Sequence, residues 1–219
     1  MMRYALGLDL GPAAEFTALA IVQADWPDDD AMPALQVGYL RRFPPGTPYA
    51  ALAAEMASLL ADDRLFGVAV VVDMTAVGSG VIELFRQMEP EPKLVPVVIT
   101  AGHRAEWSSS GNWLVPKKEL ITGMQLLLQD RRLLIPTSLT EADLLSKELV
   151  NFRARTKLVA DPQQAEWREG QDDDLVLAVA LACWQAARSA PCVGSGFSVI
   201  PRLANLGRGE SILGGRLTW

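Results

Sequence analysis

Residues 67–73, Gly67-Val-Ala-Val-Val-Val-Asp73, run through five consecutive apolar positions into an acid. A strand without polar alternation has no solvent face. It must be covered on both sides, which requires a sheet with helices packed on each face. The segments around it fit that demand. Tyr4 to Leu10 is a short apolar run that includes an acid and leads into Gly11, a strand signature. Thr17 to Val22 and Leu35 to Leu40 read as two more strands, separated by the turn-rich Trp26-Pro-Asp-Asp-Asp segment. Three short strands with loop-like joints predict an antiparallel meander, and Leu94 to Thr100 predicts a fifth strand.

Helical spacing appears between them. Leu52, Met56, Leu59 and Leu60 share one face of a helix over 49–60, and Val81, Leu84, Phe85 and Met88 share one face over 78–88. Residues 102–113 are polar and rich in Ser and Gly, as in an exposed loop or hairpin. Pro116 suits the first turn of a helix running to about Asp130. Further helices are expected over 141–150 and 173–188, with 151–157 and 165–168 paired as a small hairpin. The order predicts an α/β fold whose mixed sheet has three antiparallel strands followed by parallel strands, flanked by helices. It is compatible with an RNase H-like arrangement. The expected division is one domain over 1–190 and a Gly-rich tail over 191–219.

The chain of 219 residues has a net charge of −6, which at first sight argues against a nucleic-acid partner. The distribution says more. Lys and Arg against Asp and Glu number 4 to 10 over residues 1–75, 8 to 5 over 116–157 and 4 to 1 over 188–219. Carboxylates beside a basic surface suit a metal-bridged phosphate substrate, although solvated faces of mixed sign produce the same asymmetry. Lys117, Lys118, Arg131, Arg132, Arg153, Arg155 and Lys157 are the candidate phosphate contacts, although each taken singly reads first as a solvated surface charge. The apolar run from Leu175 to Trp184 is too short to span a bilayer. No secretory signal is read at the N-terminus. Cys183 and Cys192 make neither a disulfide framework nor a zinc site, which fits a reducing cytoplasm.

Asp9 and Asp73 both lie where apolar strands end, at the sheet rim where ligands of α/β proteins gather. The two strands are neighbours if meander and parallel half join in one sheet. Asp172, Asp173 and Asp174 directly precede a strongly apolar helix. One acid there would be read as a cap for free N–H groups. Three exceed what capping needs, and they crowd one another unless a cation offsets them. Hard divalent ions take carboxylate oxygens, and a pair of them can activate water and stabilise the leaving oxygen of a phosphodiester. That scheme requires no His or Cys, and the chain has a single His. Glu15 reads as a turn residue close to Asp9, His103 as a loop residue, and Trp107 and Trp113 as packing residues flanking the polar loop.

Five segments carry a resemblance. Gly7-Leu-Asp-Leu-Gly-Pro, Val71-Val-Asp-Met-Thr-Ala-Val-Gly, Val115-Pro-Lys-Lys-Glu-Leu, Lys147-Glu-Leu-Val-Asn-Phe-Arg and Asp172-Asp-Asp-Leu-Val-Leu-Ala-Val-Ala-Leu-Ala resemble, in this order, the nuclease domain of tailed-phage terminase large subunits. The second and last are the specific ones. The resemblance implies an RNase H-like nuclease with a two-metal Mg²⁺ or Mn²⁺ site that cuts concatemeric viral DNA during packaging. It implies Asp9, Asp73, Asp173 and Asp174 as catalytic metal ligands, with Asp174 the preferred direct ligand beside the first pair. It also implies double-stranded DNA, a packaging ATPase, a portal and a small terminase subunit as partners, in the cytoplasm of a bacterial host.

Three departures stand out. Asp172 occupies a position where the family commonly has His, and Ala76 replaces a usual Gly in the turn after Asp73. The chain has no G-x-x-x-x-G-K-[ST] phosphate loop, so packaging ATPase activity is not expected of it. The expectation is an excised domain, to which the doubled Met would be a clue, or a nuclease on its own polypeptide. Competing readings are a sugar-kinase or actin-like ATPase lobe, whose first turn also reads Asp-x-Gly, and a non-catalytic packaging module. Among nucleases, a junction resolvase or an integrase would share the acid geometry.

Overall fold

The computed structural model describes residues 2–26, 33–158 and 173–188. The first strand, β1 (Met2–Asp9), pairs antiparallel with β2 (Thr17–Asp25), which pairs antiparallel with β3 (Ala34–Phe43). The other edge of β1 accepts β4 (Ala69–Asp73) in parallel, followed in parallel by β5 (Lys93–Thr100) and β7 (Trp113–Pro116). Two-residue strands close the ends: β6 (Glu106–Trp107) lies antiparallel on β7, and β8 (Leu133–Leu134) lies parallel on β3. The eight-stranded order is β6-β7-β5-β4-β1-β2-β3-β8. The meander and the parallel half therefore join at β1 and β4, and the sheet is mixed as expected.

Helices cover both faces. Against one side lie α1 (Tyr49–Leu60) and α2 (Ser79–Arg86), whose Leu52, Met56, Ile82 and Phe85 meet Leu6, Leu8, Leu19, Ile21, Val70 and Val72. Against the other lie α3 (Lys117–Gln129), α4 (Ala142–Leu158) and α5 (Asp174–Arg188). Strand alternation divides the side chains between the two cores. Leu6 and Leu8 of β1 face α1 and α2, while Ala5 belongs to the core around α5. The unbroken Val70-Val71-Val72 run supplies both faces at once, and all three are fully buried.

The α5 face of the sheet is built from small residues: Ala5, Gly7, Ala18 and Ala20. Small side chains let the helix approach closely. A Cβ placed on Gly7 would fall 2.0 Å from the Ala178 carbonyl oxygen and 2.8 Å from the Ala182 nitrogen. Gly7 is thus the crossing point of α5 over β1. Because α5 is in contact with backbone there, the position of its first turn is tied to the end of β1.

One expected element is corrected. Residues 151–157, read as a strand of a hairpin, continue α4 to Leu158. The apolar period carries on through them: Leu145, Glu148 and Phe152 fall on one helix face and all three are buried. Residues 165–168, Asp172 and the tail from 191 lie outside the described residues. The polar segment 102–113 contains the β6–β7 hairpin connection, with Ser108 N–H donating to the Asn112 carbonyl at 2.8 Å. Pro116 sits just before α3 as its cap residue, and Lys117 opens the helix. No helix among the described residues is long and apolar enough to cross a membrane.

Candidate active site

Asp9 and Asp73 are direct partners in the parallel register of β1 and β4. Both follow alternation onto the face covered by α5, and each is the last residue of its strand. They are buried to 9% and 7% of full exposure. The turn beyond Asp9 is closed by Gly11, whose N–H donates to Thr17 Oγ1 at 3.1 Å and whose carbonyl accepts the Tyr49 hydroxyl at 3.3 Å. A Cβ on Gly11 would sit 2.0 Å from the Phe16 carbonyl oxygen, so this turn requires glycine.

Asp73 is anchored by Thr75. The Thr75 N–H donates to Asp73 Oδ1 at 2.9 Å and its hydroxyl donates to the same oxygen, while Ile99 N–H donates to Thr75 Oγ1 at 2.8 Å. The turn after β4 is therefore pinned to β5 by a side chain, with Ala76 exposed at the position where glycine was expected. Thr75 was not singled out from the sequence. Its signal, a hydroxyl two residues after a strand-end Asp, is an Asx-type turn that becomes readable once the strand end is known.

From the other side, α5 presents Asp173 and Asp174. The Leu177 N–H donates to the Asp173 carbonyl at 2.9 Å, which makes Asp173 the cap residue and Asp174 the first helical one. Asp173 Oδ2 accepts from Lys117 Nζ at 3.2 Å. Asp174 Oδ2 accepts from Arg42 at 2.6 and 3.0 Å, and the guanidinium lies 3.6 Å from the centroid of the Phe16 ring. Both pairs are largely buried, with side-chain exposures of 12% and 9% for the first and 10% and 13% for the second. All four aspartates, with Glu15, Thr75, Thr100 and Lys117, line one cavity of about 260 Å³.

Crowding of like charges shows in the acidities. Burial raises the Asp9 carboxyl well above the usual carboxylate range, and Asp73, Asp174 and Asp173 raise it further while Lys117 opposes them. Burial also raises Asp174, against the pull of Arg42. Behind α5, Glu148 of α4 is buried to 1% exposure and its acidity falls until the pKa reaches about 8. Desolvation is the main cause, offset by the Val176 amide and by Arg42.

Four carboxylates around one cavity are the donor chemistry of a hard divalent cation such as Mg²⁺ or Mn²⁺. Convergence is another matter. Among the described residues no three His, Cys, Asp or Glu side chains come together closely enough to hold an ion. Asp173 and Asp174 lie instead against Lys117 and Arg42, so cations of the protein itself already balance half of the acidic set.

The remaining sequence candidates separate by position. Lys117, expected as a phosphate contact, belongs inside the cavity, whereas Lys118 is exposed beside it. Arg132 binds the Pro33 carbonyl at 2.6 and 3.1 Å, a structural role that ties α3's end to β3, and Arg131 is exposed. Arg153, Arg155 and Lys157 lie on α4, away from the strand expected for them. Glu15 is an exposed turn residue on the cavity wall, and His103 is exposed and absent from that wall. Trp113 packs edge-on against Trp184 at 5.7 Å, the packing role expected, while Trp107 remains 58% exposed. Arg42 was missed: a basic residue on a meander strand carries no local signal of a partner 132 positions away.

A mixed sheet with an antiparallel meander inserted beside a parallel half, helices on both faces and acids at the ends of its two central neighbours defines an RNase H-like domain. The particular proteins it resembles are large-terminase nucleases. The chain superposes on the crystal structure of the large terminase nuclease from thermophilic phage G20c with bound zinc, at TM-score 0.50 and 20% identity, covering 84% of this chain and 81% of that one. A second structure of the same phage nuclease gives TM-score 0.50 and 19% identity, covering 84% and 82%. At such identity the likeness establishes the shared fold. No family model and no curated protein matches the sequence.

Proposed function

We propose that this chain is a metal-dependent DNA endonuclease that cuts concatemeric viral DNA during genome packaging. The observation that carries the reading is the placement of Asp9 and Asp73 in register at adjacent strand ends, facing Asp173 and Asp174 across one cavity. The fold shared with a phage terminase nuclease supports it, as do the motif resemblances around each of these residues. Packaging ATPase activity is not part of the proposal.

Asp9 and Asp73 would hold Mg²⁺ or Mn²⁺, with Asp174 and Asp173 completing the set from α5. Ions held there supply a Lewis acid for the phosphodiester and a source of hydroxide at neutral pH. The protein's own contribution is placement. Thr75 fixes the Asp73 carboxylate through two hydrogen bonds, and the Gly11 turn fixes the chain beyond Asp9. Arg42 and Lys117 hold the α5 carboxylates, and Lys117, on the cavity wall, would present positive charge to an entering phosphate. Lys118, beside Lys117, extends that charge outward, and Arg153 and Arg155 of α4 are the further candidates for backbone contact. The implied partners are double-stranded DNA and the packaging ATPase, portal and small terminase subunit, in a bacterial host cytoplasm.

The test is plasmid cleavage. Supercoiled plasmid incubated with the purified chain should be nicked or linearised with Mg²⁺ or Mn²⁺ and left intact in EDTA or with Asp9→Ala. Intact plasmid with both metals, or equal cleavage by Asp9→Ala, would overturn the reading. A second reading, a non-catalytic packaging module, is favoured by the ion pairs that occupy Asp173 and Asp174. Absence of Mn²⁺ binding to the wild-type chain at millimolar concentration would select it.

A further inference from the structure

The acids at the start of α5 invite the simplest explanation for acids at a helix start: they cap its free N–H groups. The structure distributes the work differently. A helix leaves its first N–H groups without intrahelical partners, and the cap side chain ordinarily serves the amide at the second or third position. Here Asp173, the cap residue, points its carboxylate to Lys117, and Asp174 points to Arg42. The amide at the third helical position, Val176, is met from a different helix, by Glu148 Oε2 at 3.2 Å. The Leu175 amide acts on the same carboxylate.

Burying a carboxyl group is costly unless its bonds repay the desolvation. Glu148 is buried to 1% exposure, and its second oxygen, Oε1, has no hydrogen-bond partner. The contact that Glu148 makes is with the α5 first turn, one helical step from the site aspartates. Resting on the function proposed above, we infer that Glu148 is a positioning residue, a cap donated by α4 that fixes the first turn of α5, so that Asp173 and Asp174, relieved of capping, are held at the cavity wall.

The expected consequence is on metal binding rather than on chemistry alone. Residues that orient a ligand from behind typically alter metal affinity by about 10–100-fold when removed. Mn²⁺ affinity would be measured by calorimetric titration of the full chain in wild type, Asp9→Asn, Glu148→Gln, Glu148→Leu and Phe152→Ala. Phe152 is buried on the same face of α4, one turn further on, in the core shared with α5, and its truncation removes packing while leaving the Glu148 carboxylate in place. Glu148→Gln keeps an acceptor oxygen on the same stem and should retain Mn²⁺ affinity. Glu148→Leu should weaken it by about tenfold or more, while Phe152→Ala lowers the melting temperature with affinity unchanged. Amide exchange at Leu175 and Val176 should quicken in Glu148→Leu alone.

The outcomes separate the two claims. If wild type binds Mn²⁺, Asp9→Asn does not, and Glu148→Leu binds as wild type does, the positioning role is overturned and the nuclease reading stands. If Asp9→Asn binds as tightly as wild type, the metal site itself is misplaced. Should Glu148→Leu fail to fold, Glu148→Gln decides. Retained affinity with slow exchange at Val176 supports the cap, and a loss of affinity as large as that of Asp9→Asn contradicts it.

Discussion

A carboxylate buried beside three others favours its protonated form, and Asp9 is placed that way by the register of β1 with β4 and by the approach of α5. Without a divalent ion this is a stability cost at neutral pH, because the ionised form is both desolvated and repelled. Asp9→Asn removes the charge and keeps the shape. The metal-free variant should melt about 2–4 °C higher than wild type at pH 7.5, the shift for roughly 1 kcal/mol in a chain of this size, while losing both Mn²⁺-induced stabilisation and plasmid cleavage. Differential scanning fluorimetry with and without Mn²⁺ reads all but the last. Glu148 makes a separate contribution. Its folded pKa of about 8 lies above the ordinary 4.5, so the folded state binds the proton more tightly than the unfolded one. The stability it contributes is full at pH values below 4.5 and is lost as pH rises through about 8. Denaturant titrations in EDTA should show stability falling across that window, by at most about 1.4 kcal/mol per pH unit from this residue. Glu148→Gln should flatten the fall.

At the scale of elements, the site depends on how closely α5 can lie on β1. Gly7 permits the approach, and its Cβ clash with the Ala178 carbonyl is with backbone, which cannot rotate away. Gly7→Ala should therefore lift α5, destabilise the fold by about 1–3 kcal/mol and weaken Mn²⁺ binding with it. Gly123 provides the contrast. It is exposed in the middle of α3 with nothing within 4 Å of a built Cβ, so Gly123→Ala should stabilise by about 0.5–1 kcal/mol. Urea unfolding of both variants checks the opposite signs. The sequence made Gly7-Leu-Asp-Leu-Gly legible as a strand ending at an acid, but the crossing helix that explains its first glycine is distant in the chain. For the same reason residues 151–157 read as one strand of a small hairpin, while the Leu145–Glu148–Phe152 face that extends α4 is defined by what packs on it.

For the molecule as a whole, the mixed class of the sheet was readable because β1 to β5 each carry a hydrophobic signature. The Val70–Val72 run announced a two-faced burial, and the meander announced its turns. Two-residue strands such as Leu133–Leu134 carry too little pattern to be seen. The candidate site was half legible. Asp9 and Asp73 could be placed at strand ends from periodicity, whereas their cationic neighbours Arg42 and Lys117 and the supporting Glu148 are joined only by tertiary contacts across 132, 56 and 28 positions. Acids dominate the cavity wall, where Asp9, Glu15, Asp73, Asp173 and Asp174 stand with Lys117. Anomalous scattering from a crystal of this chain soaked in Mn²⁺ would show whether the strand-end acids hold metal. Manganese is expected at the Asp9 and Asp73 carboxylates, with Asp174 or Asp173 released from its basic partner to join them. Manganese bound elsewhere, or none at Asp9 and Asp73 at millimolar concentration, would contradict it.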